Sequence, residues 1–250
     1  SIGFSALYQQ RPSPEGGGAF KRDTFQYWTK TDDEGFTYRL EDQREGTLLA
    51  PQEDCWRFIT MDLAIKKRET ADYTVAMIWD VAPWLEPSRL ILRHLERVRI
   101  EGAEHVELGI RLWKTWNPTF IGIEDAAEGH MTMDYLRRRG VLVMPLKHES
   151  KDKTSRAKSA QLLLENHRVY FPKKAAWLGD FEHELLLFPS GAHDDQVDPF
   201  AYAAREILRG INLAKKPKPP EPATASEKAW AYLEKKAKRA NIHPVLGRVK

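Results

Sequence analysis

The sequence predicts an α/β protein built on a mixed sheet, an antiparallel meander continued by parallel strands, with helices on both faces. Three observations carry this reading. Between Cys55 and Arg99, three apolar runs rich in Val, Ile, Thr and aromatics are separated only by short polar turns, the pattern of sequential antiparallel strands. After Arg99, stretches of helical spacing alternate with short apolar runs, the pattern of βα units. Carboxylates stand at the ends of two of the strand-like runs and at the start of the last helix, where a packed sheet would bring them together.

Taken in order, residues 1–54 read as an irregular lead-in. The segment Gln9-Gln10-Arg11-Pro12-Ser13-Pro14-Glu15-Gly16-Gly17-Gly18 cannot continue a helix or a strand. Phe20, Phe25, Tyr27 and Trp28 supply aromatic surface to dock this arm, and residues 29–46 are polar enough for a loop or a weak hairpin. Regular structure starts at Cys55. Residues 56–63, 73–81 and 90–99 are the meander strands, with a turn at 66–70, and Asp72 precedes the second strand as a turn-former. On the third strand, alternation puts Ile91, Arg93, Leu95, Arg97 and Arg99 on one face.

Residues 104–117 have helical spacing of Val106, Leu108, Ile110, Leu112 and Trp113, and Pro118 stops the helix. Residues 119–123 are a buried strand that feeds Glu124-Asp125. A helix at 129–139 ends at Gly140, with Arg137, Arg138 and Arg139 as surface cations suited to a helix C-terminus, and a strand follows at 141–144. The helix at 152–166 turns Ala157, Ala160, Leu163 and Leu164 inward. Residues 169–171 are a short extended piece, and 175–187 and 196–208 are the last two helices. Beyond Gly210, residues 215–222 form a stiff Lys/Pro linker, and 227–240 suit a basic helix carrying Trp230, Tyr232 and Leu233. The expected division is a lead-in at 1–54, a domain at 55–210 and a basic C-terminal tail at 211–250.

Composition narrows the function classes. Hydrophobic residues at 42% and charged residues at 30% fit a globular chain, and no apolar run is long enough to span a membrane. Ser1-Ile2-Gly3-Phe4 has no charged segment ahead of an apolar one, so no signal peptide is expected, and the missing initiator Met points to a piece of something longer. Cys55 is the only cysteine, which excludes an intrachain disulfide and a multi-thiolate zinc site. The 39 Lys and Arg exceed the 36 Asp and Glu by only +3, too little to argue for nucleic acid without regard to distribution.

The acids say more. In Phe58-Ile59-Thr60-Met61-Asp62-Leu63-Ala64, alternation puts Phe58, Thr60 and Asp62 on one face and Ile59, Met61 and Leu63 on the other. A carboxylate in such a sheet is costly without a partner, and a divalent cation is the usual one. Two further stretches, Phe120-Ile121-Gly122-Ile123-Glu124-Asp125 and His193-Asp194-Asp195-Gln196-Val197-Asp198, present acids in similar settings. If the strand of Asp62 neighbours that of Glu124 and Asp125, their carboxylates meet at one edge and the last helix brings Asp195 over them. Two Mg²⁺ or Mn²⁺ ions, roughly 3.5–4 Å apart, would relieve the repulsion and supply phosphodiester cleavage chemistry.

Several stretches resemble the nuclease domain of the large terminase subunit of tailed bacteriophages: Met61-Asp62-Leu63-Ala64, Asp72-Tyr73-Thr74, Ile123-Glu124-Asp125-Ala126-Ala127-Glu128-Gly129 and His193-Asp194-Asp195-Gln196-Val197-Asp198. The segment Phe4-Ser5-Ala6-Leu7-Tyr8-Gln9-Gln10-Arg11-Pro12, with Gly16-Gly17-Gly18, is similar to the passage from that family's ATPase domain into its nuclease. The resemblance covers most of residues 1–210. It implies an RNase H-like fold and cutting of concatemeric double-stranded viral DNA with two Mg²⁺ or Mn²⁺ ions. It further implies an upstream ATPase domain, a portal and a small terminase subunit as partners, and action in the cytoplasm of an infected bacterial host and transiently at the procapsid. No Walker-type phosphate loop occurs within these 250 residues. Another RNase H-like enzyme (resolvase, transposase or RNase H type) and a non-catalytic nucleic-acid-binding or assembly module are the alternatives.

By this resemblance Asp62 is the first-strand acid, Asp195 the last-helix acid and Asp194 an accessory ligand. Glu124 and Asp125 point to opposite faces of an extended strand, so one of them is the ligand; the shorter Asp125 at the strand end is favoured, with Glu124 second. Asp198, about one turn on, is an outer ligand or an acid serving the helix dipole, the latter favoured. His193 is a proton carrier, a DNA contact or a turn residue, and His130 is structural. Lys147, Lys151, Lys153, Arg156 and Lys158 form the densest basic run near the acids, either phosphate contacts or a solvated face.

Overall fold

The computed structural model describes residues 18–31, 36–64, 73–147, 153–191 and 193–209, together with 242–243 and 247–248. The turn expected at 66–70, Asp72 and the tail helix expected at 227–240 lie outside these residues. Two compact units divide the chain, Ser1–Leu213 and Ala214–Lys250.

The first unit is organised by one sheet. Its strands are β1 (Gln26–Lys30), β2 (Thr37–Asp42), β3 (Gly46–Pro51), β4 (Trp56–Asp62), β5 (Thr74–Ala82), β6 (Arg89–Val98), β7 (Ile121–Glu124), β8 (Val143–Leu146) and β9 (Val169–Pro172). The helices are α1 (Ala103–Trp116), α2 (Ala127–Arg138), α3 (Lys153–Glu165), α4 (Leu178–Leu187) and α5 (Val197–Leu208). Across the sheet the order is β3-β2-β1-β9-β6-β5-β4-β7-β8. The meander β4-β5-β6 is antiparallel, whereas β7 runs parallel to β4 and β8 parallel to β7. This is the mixed sheet expected from the sequence.

Alternation along the central strands builds two cores. Phe58, Val75, Met77 and Trp79 face one side with Ala157, Leu163, Phe181 and Phe200 of α3, α4 and α5. Ile59, Met61, Ala76 and Ile78 face the other, with Leu108, Leu112, Met133 and Leu136 of α1 and α2. β5 is buried along its whole length because helices cover both faces, which is why it reads as a near-continuous apolar run. α1 stops at Asn117 in the left-handed region (φ 46°), whose N–H closes on Trp113 O, with Pro118 next.

Two readings are corrected. Within the expected irregular lead-in, residues 26–30, 37–42 and 46–51 are three strands of the same sheet: β1 pairs antiparallel with β2, β2 with β3, and β1 parallel with β9. Phe20 and Phe25 join the first core, while Trp28, Tyr38, Leu40 and Ala50 form a third core with Ile91 and Tyr170. The single face assigned to the third meander strand is also split. The β5–β6 register jumps from Trp79↔Leu92 to Ile78↔His94, leaving Arg93 as a bulge. Alternation reverses there, so Ile91 lies in the third core while Leu95 lies in the first.

In the second unit the described residues are β10 (Ile242–His243) and β11 (Gly247–Arg248), paired antiparallel.

Candidate active site

Asp62 ends β4 and Glu124 ends β7, and these strands are parallel neighbours in the register Thr60↔Gly122, Met61↔Ile123. The next step in that register puts Asp62 beside Glu124 on the face that carries Phe58 and Thr60. Their alternates, Met61 and Ile123, are buried in the opposite core. The two carboxyls are hydrogen-bonded, and Asp62 holds its proton well above the usual carboxylate range. Burial is the first cause, followed by the charge of Glu124, its hydrogen bond, and the charges of Asp198 and Asp195.

The last helix is seated over this pair by a buried polar chain. Trp79 Nε1 donates to Thr60 Oγ1 (2.9 Å), and Thr60 Oγ1 donates to Pro199 O (2.9 Å). Pro199 is tolerated because the first turn of α5 has no carbonyl to offer its missing N–H. The turn before α5 is fixed by Glu184 of α4, which accepts from Gln196 N (2.6 Å) and Gln196 Nε2 (2.7 Å). Burial raises Glu184 above its ordinary range, against the opposing pull of the Gln196 bonds and Arg97.

Two arginines supply counter-charge. Arg97 Nη2 donates to Asp195 Oδ2 (3.0 Å) and lies 3.6 Å from Glu184. Arg156 of α3 grips Asp198 with Nε and Nη2 (3.0 and 2.9 Å). Tyr202, four residues after Asp198, is buried beside the acids, and its phenol is pushed up by burial and then by Glu124, Asp198 and Asp62. At the rim, the Arg97 and Arg99 guanidiniums lie 4.0 and 4.4 Å from the Tyr73 ring centroid, and His193 meets Tyr73 edge-on.

The structure thus places Asp62 against Glu124, with Asp195 and Asp198 near enough for their charges to act on Asp62. Asp125, the acid favoured over Glu124, is turned away. It lies one residue past β7, its N–H bonds Leu146 O (2.9 Å), and its Oδ1 accepts from His130 Nε2 (2.5 Å). Parity is the physical reason, because Asp125 alternates with Glu124 and shares the side of Ile123. Asp194 is half-buried in the turn before α5, its carbonyl accepting Val197 N–H (3.0 Å). His193 is exposed, with Nδ1 3.8 Å from Asp195. Lys147 and Lys158 are exposed, whereas Arg156 is turned in on Asp198. Lys151 and the Lys153 side chain lie outside the described residues. Sequence reasoning missed Arg97, Glu184, Gln196 and Tyr202; the i,i+4 spacing of Asp198 and Tyr202 was the signal for the last.

Among the described residues, no group of three or more His, Cys, Asp or Glu side chains is placed to hold a metal ion. The donors that do converge are carboxylate oxygens, which suit hard divalent cations. The proton kept by Asp62 stands where such a cation would relieve the same repulsion.

A sheet of this topology with carboxylates at the ends of adjacent parallel strands defines an RNase H-like domain. The chain matches the Terminase RNaseH-like domain family over residues 59–206, a span running from β4 into α5, and it belongs to that family. Among solved structures, it resembles the large terminase nuclease from thermophilic phage G20c with bound magnesium, at 19% identity and a TM-score of 0.54, covering 77% of this chain and 99% of that one. The cobalt-bound form of the same protein gives 19% and 0.53 over 77% and 99%. The Thermus phage P74-26 large terminase nuclease domain gives 20% and 0.50 over 74% and 92%. At these identities the likeness is one of fold. No curated protein sequence matches the chain.

Proposed function

We propose that this chain carries the nuclease domain of a phage large terminase and cuts double-stranded DNA with divalent metal ions, two Mg²⁺ or Mn²⁺. The observation that carries the reading is the Asp62–Glu124 pair at the ends of neighbouring parallel strands, with Asp195 and Asp198 acting on it. Asp62, Glu124 and Asp195 are the proposed ligands, with Asp194 and Asp198 beside them, and Glu124 takes the place first given to Asp125. Bound cations would activate water and stabilise the departing oxygen of a phosphodiester. The chain's own residues prepare that chemistry. The Thr60–Pro199 bond fixes α5 over β4, the Glu184–Gln196 clamp fixes the turn that carries Asp195, and Arg97 and Arg156 orient Asp195 and Asp198. The metal-bound forms of the G20c nuclease support divalent-ion use. An upstream ATPase domain, the portal, the small terminase subunit and action at the procapsid in an infected cell follow from the same proposal.

The test is cleavage of supercoiled plasmid in Mg²⁺ or Mn²⁺ with EDTA as control, alongside titration calorimetry with Mn²⁺. Asp62→Asn and Glu124→Gln should each lower cleavage by about a hundredfold or more and weaken Mn²⁺ binding, because each removes a ligand oxygen. Asp125→Asn should stay much closer to wild type. DNA binding without any metal-dependent cutting would leave the assembly-module alternative standing, and a larger loss at Asp125 than at Glu124 would return the ligand role to Asp125.

A further inference from the structure

We propose that the cleft between α3 and α5, next to the acids, is a phosphate-binding site that seats the DNA backbone beside the bond to be cut. It is lined by Ser155, Arg156, Ser159, Tyr202 and Arg205, with Asp198 at the acid end, and it encloses about 40 Å³. A single water needs roughly 10–15 Å³ on this measure, so the space admits a group with several oxygens. The lining is rich in donors: two guanidiniums, two hydroxyls and a phenol. Among the described lining residues Asp198 is the one carboxylate, and both its oxygens are taken by Arg156 (3.0 and 2.9 Å). The Tyr202 hydroxyl lies on the same wall and can donate. Guanidinium and hydroxyl donors converging on one space match a phosphate diester, which is anionic and accepts only.

Position gives the site its register. Asp198 and Tyr202 belong both to this cleft and to the surroundings of Asp62 and Glu124, so a strand whose phosphodiester lies at the acids continues directly into the cleft. Ser155 and Ser159 are one helical turn apart on α3, and both remain partly exposed. Exposed Lys158 stands on the same helix. Arg205 is braced by Lys147 O and Glu206, which holds its guanidinium in place rather than leaving it to swing. A contact made only to join two helices would be closed to interior packing density, and this one is open.

The inference rests on the nuclease reading for its ligand, and its test is separate. Binding of a short fluorescein-labelled DNA duplex by the whole chain is followed by anisotropy in calcium over a salt series, with thermal melts to verify folding. Ser159→Glu puts a carboxylate on the wall of the cleft that Arg156 and Arg205 also line and should weaken binding by about tenfold and lower the slope of log affinity on log salt by about one. Ser155→Ala combined with Ser159→Ala removes two donors without adding charge and should weaken binding by about threefold to tenfold. Wild-type affinity and slope in both variants overturn the site, even if the wild-type chain cuts plasmid. Loss in both variants, with no cutting by the wild type in Mg²⁺ or Mn²⁺, upholds the site and sinks the nuclease reading instead. A wild-type chain that does not bind the duplex at all overturns the site as well.

Discussion

Asp62 shows how a single residue ties the site to stability. The metal-free fold keeps its proton where a free aspartate, with a pKa of about 3.9, has lost it, because burial and the Glu124 charge oppose ionisation. Between those two values the folded chain binds more protons than the unfolded chain, so stability falls as pH rises through the window. Asp62→Asn is neutral throughout and should abolish that fall. In EDTA, the Tm of the variant should gain on wild type as pH rises above the free-aspartate value of about 3.9; parallel curves would show that Asp62 is not held protonated. Glu96 has the opposite sign. The His94 hydrogen bond and then the Arg111 ion pair, against burial, lower its carboxyl to about 2. Its contribution is present above the ordinary glutamate value of about 4.3 and is lost as pH falls toward the folded value. Glu96→Gln should therefore cost stability at neutral pH, with the gap to wild type closing in acid. Which of Glu124 and Asp125 faces Asp62 was legible at this scale. Ile121 and Ile123 mark the face that packs against α1 and α2, and Glu124 is the acid off that face. Side-chain length was the weaker criterion because parity decides direction before reach does.

At the scale of elements, the site is set by how strand ends meet helix starts. The first turn of α2 lies so close to the end of β7 that a Cβ on Gly129 would stand 2.2 Å from Glu124 O. In an unconstrained helix, Gly→Ala stabilises by about 1 kcal/mol. Here the sign should reverse: Gly129→Ala should cost roughly 1–3 kcal/mol from overpacking and push Glu124 away from Asp62. A denaturant series and Mn²⁺ titration measure both, and a variant as stable as wild type with unchanged Mn²⁺ affinity would disprove the close approach. The β6 bulge is the other device. The pattern around Arg93 reads as unbroken alternation, yet the extra residue reverses the faces, so that Leu95 joins the core under α5 and Arg97 reaches Asp195. Nothing local in the sequence marks the bulge, since it is fixed by pairing with β5. For that reason Arg97 could be placed on a strand from sequence but not on the acid cleft.

For the whole molecule, the part most legible in sequence was the stretch from β4 to α5, where long apolar runs and helical spacings stand in order and pair with near neighbours. The N-terminal strands were not legible, because β1 is short and its inner partner β9 lies far along the chain, so neither strand shows its pairing locally. The aromatic residues did announce burial, and Phe20, Phe25 and Trp28 are all in the cores. The two ends should therefore respond differently to removal. Without residues 1–54, the β9 edge is left unpaired, and Tyr170 and Ile91 lose Trp28, Tyr38 and Leu40 from their core. Burying each of those large side chains is worth about 1.5–3 kcal/mol, so together they rival the stability of a typical domain. That deletion should unfold the chain or drive it to aggregate through the exposed strand. Among the described residues, the sheet and its three cores instead lie within residues 18–209. A chain ending at Leu213 should melt within a few degrees of the full length and keep its metal-dependent cutting. Cooperative melting and plasmid cleavage compare the two directly, and a soluble, cutting chain lacking residues 1–54 would mean that β1–β3 are dispensable to the sheet they extend.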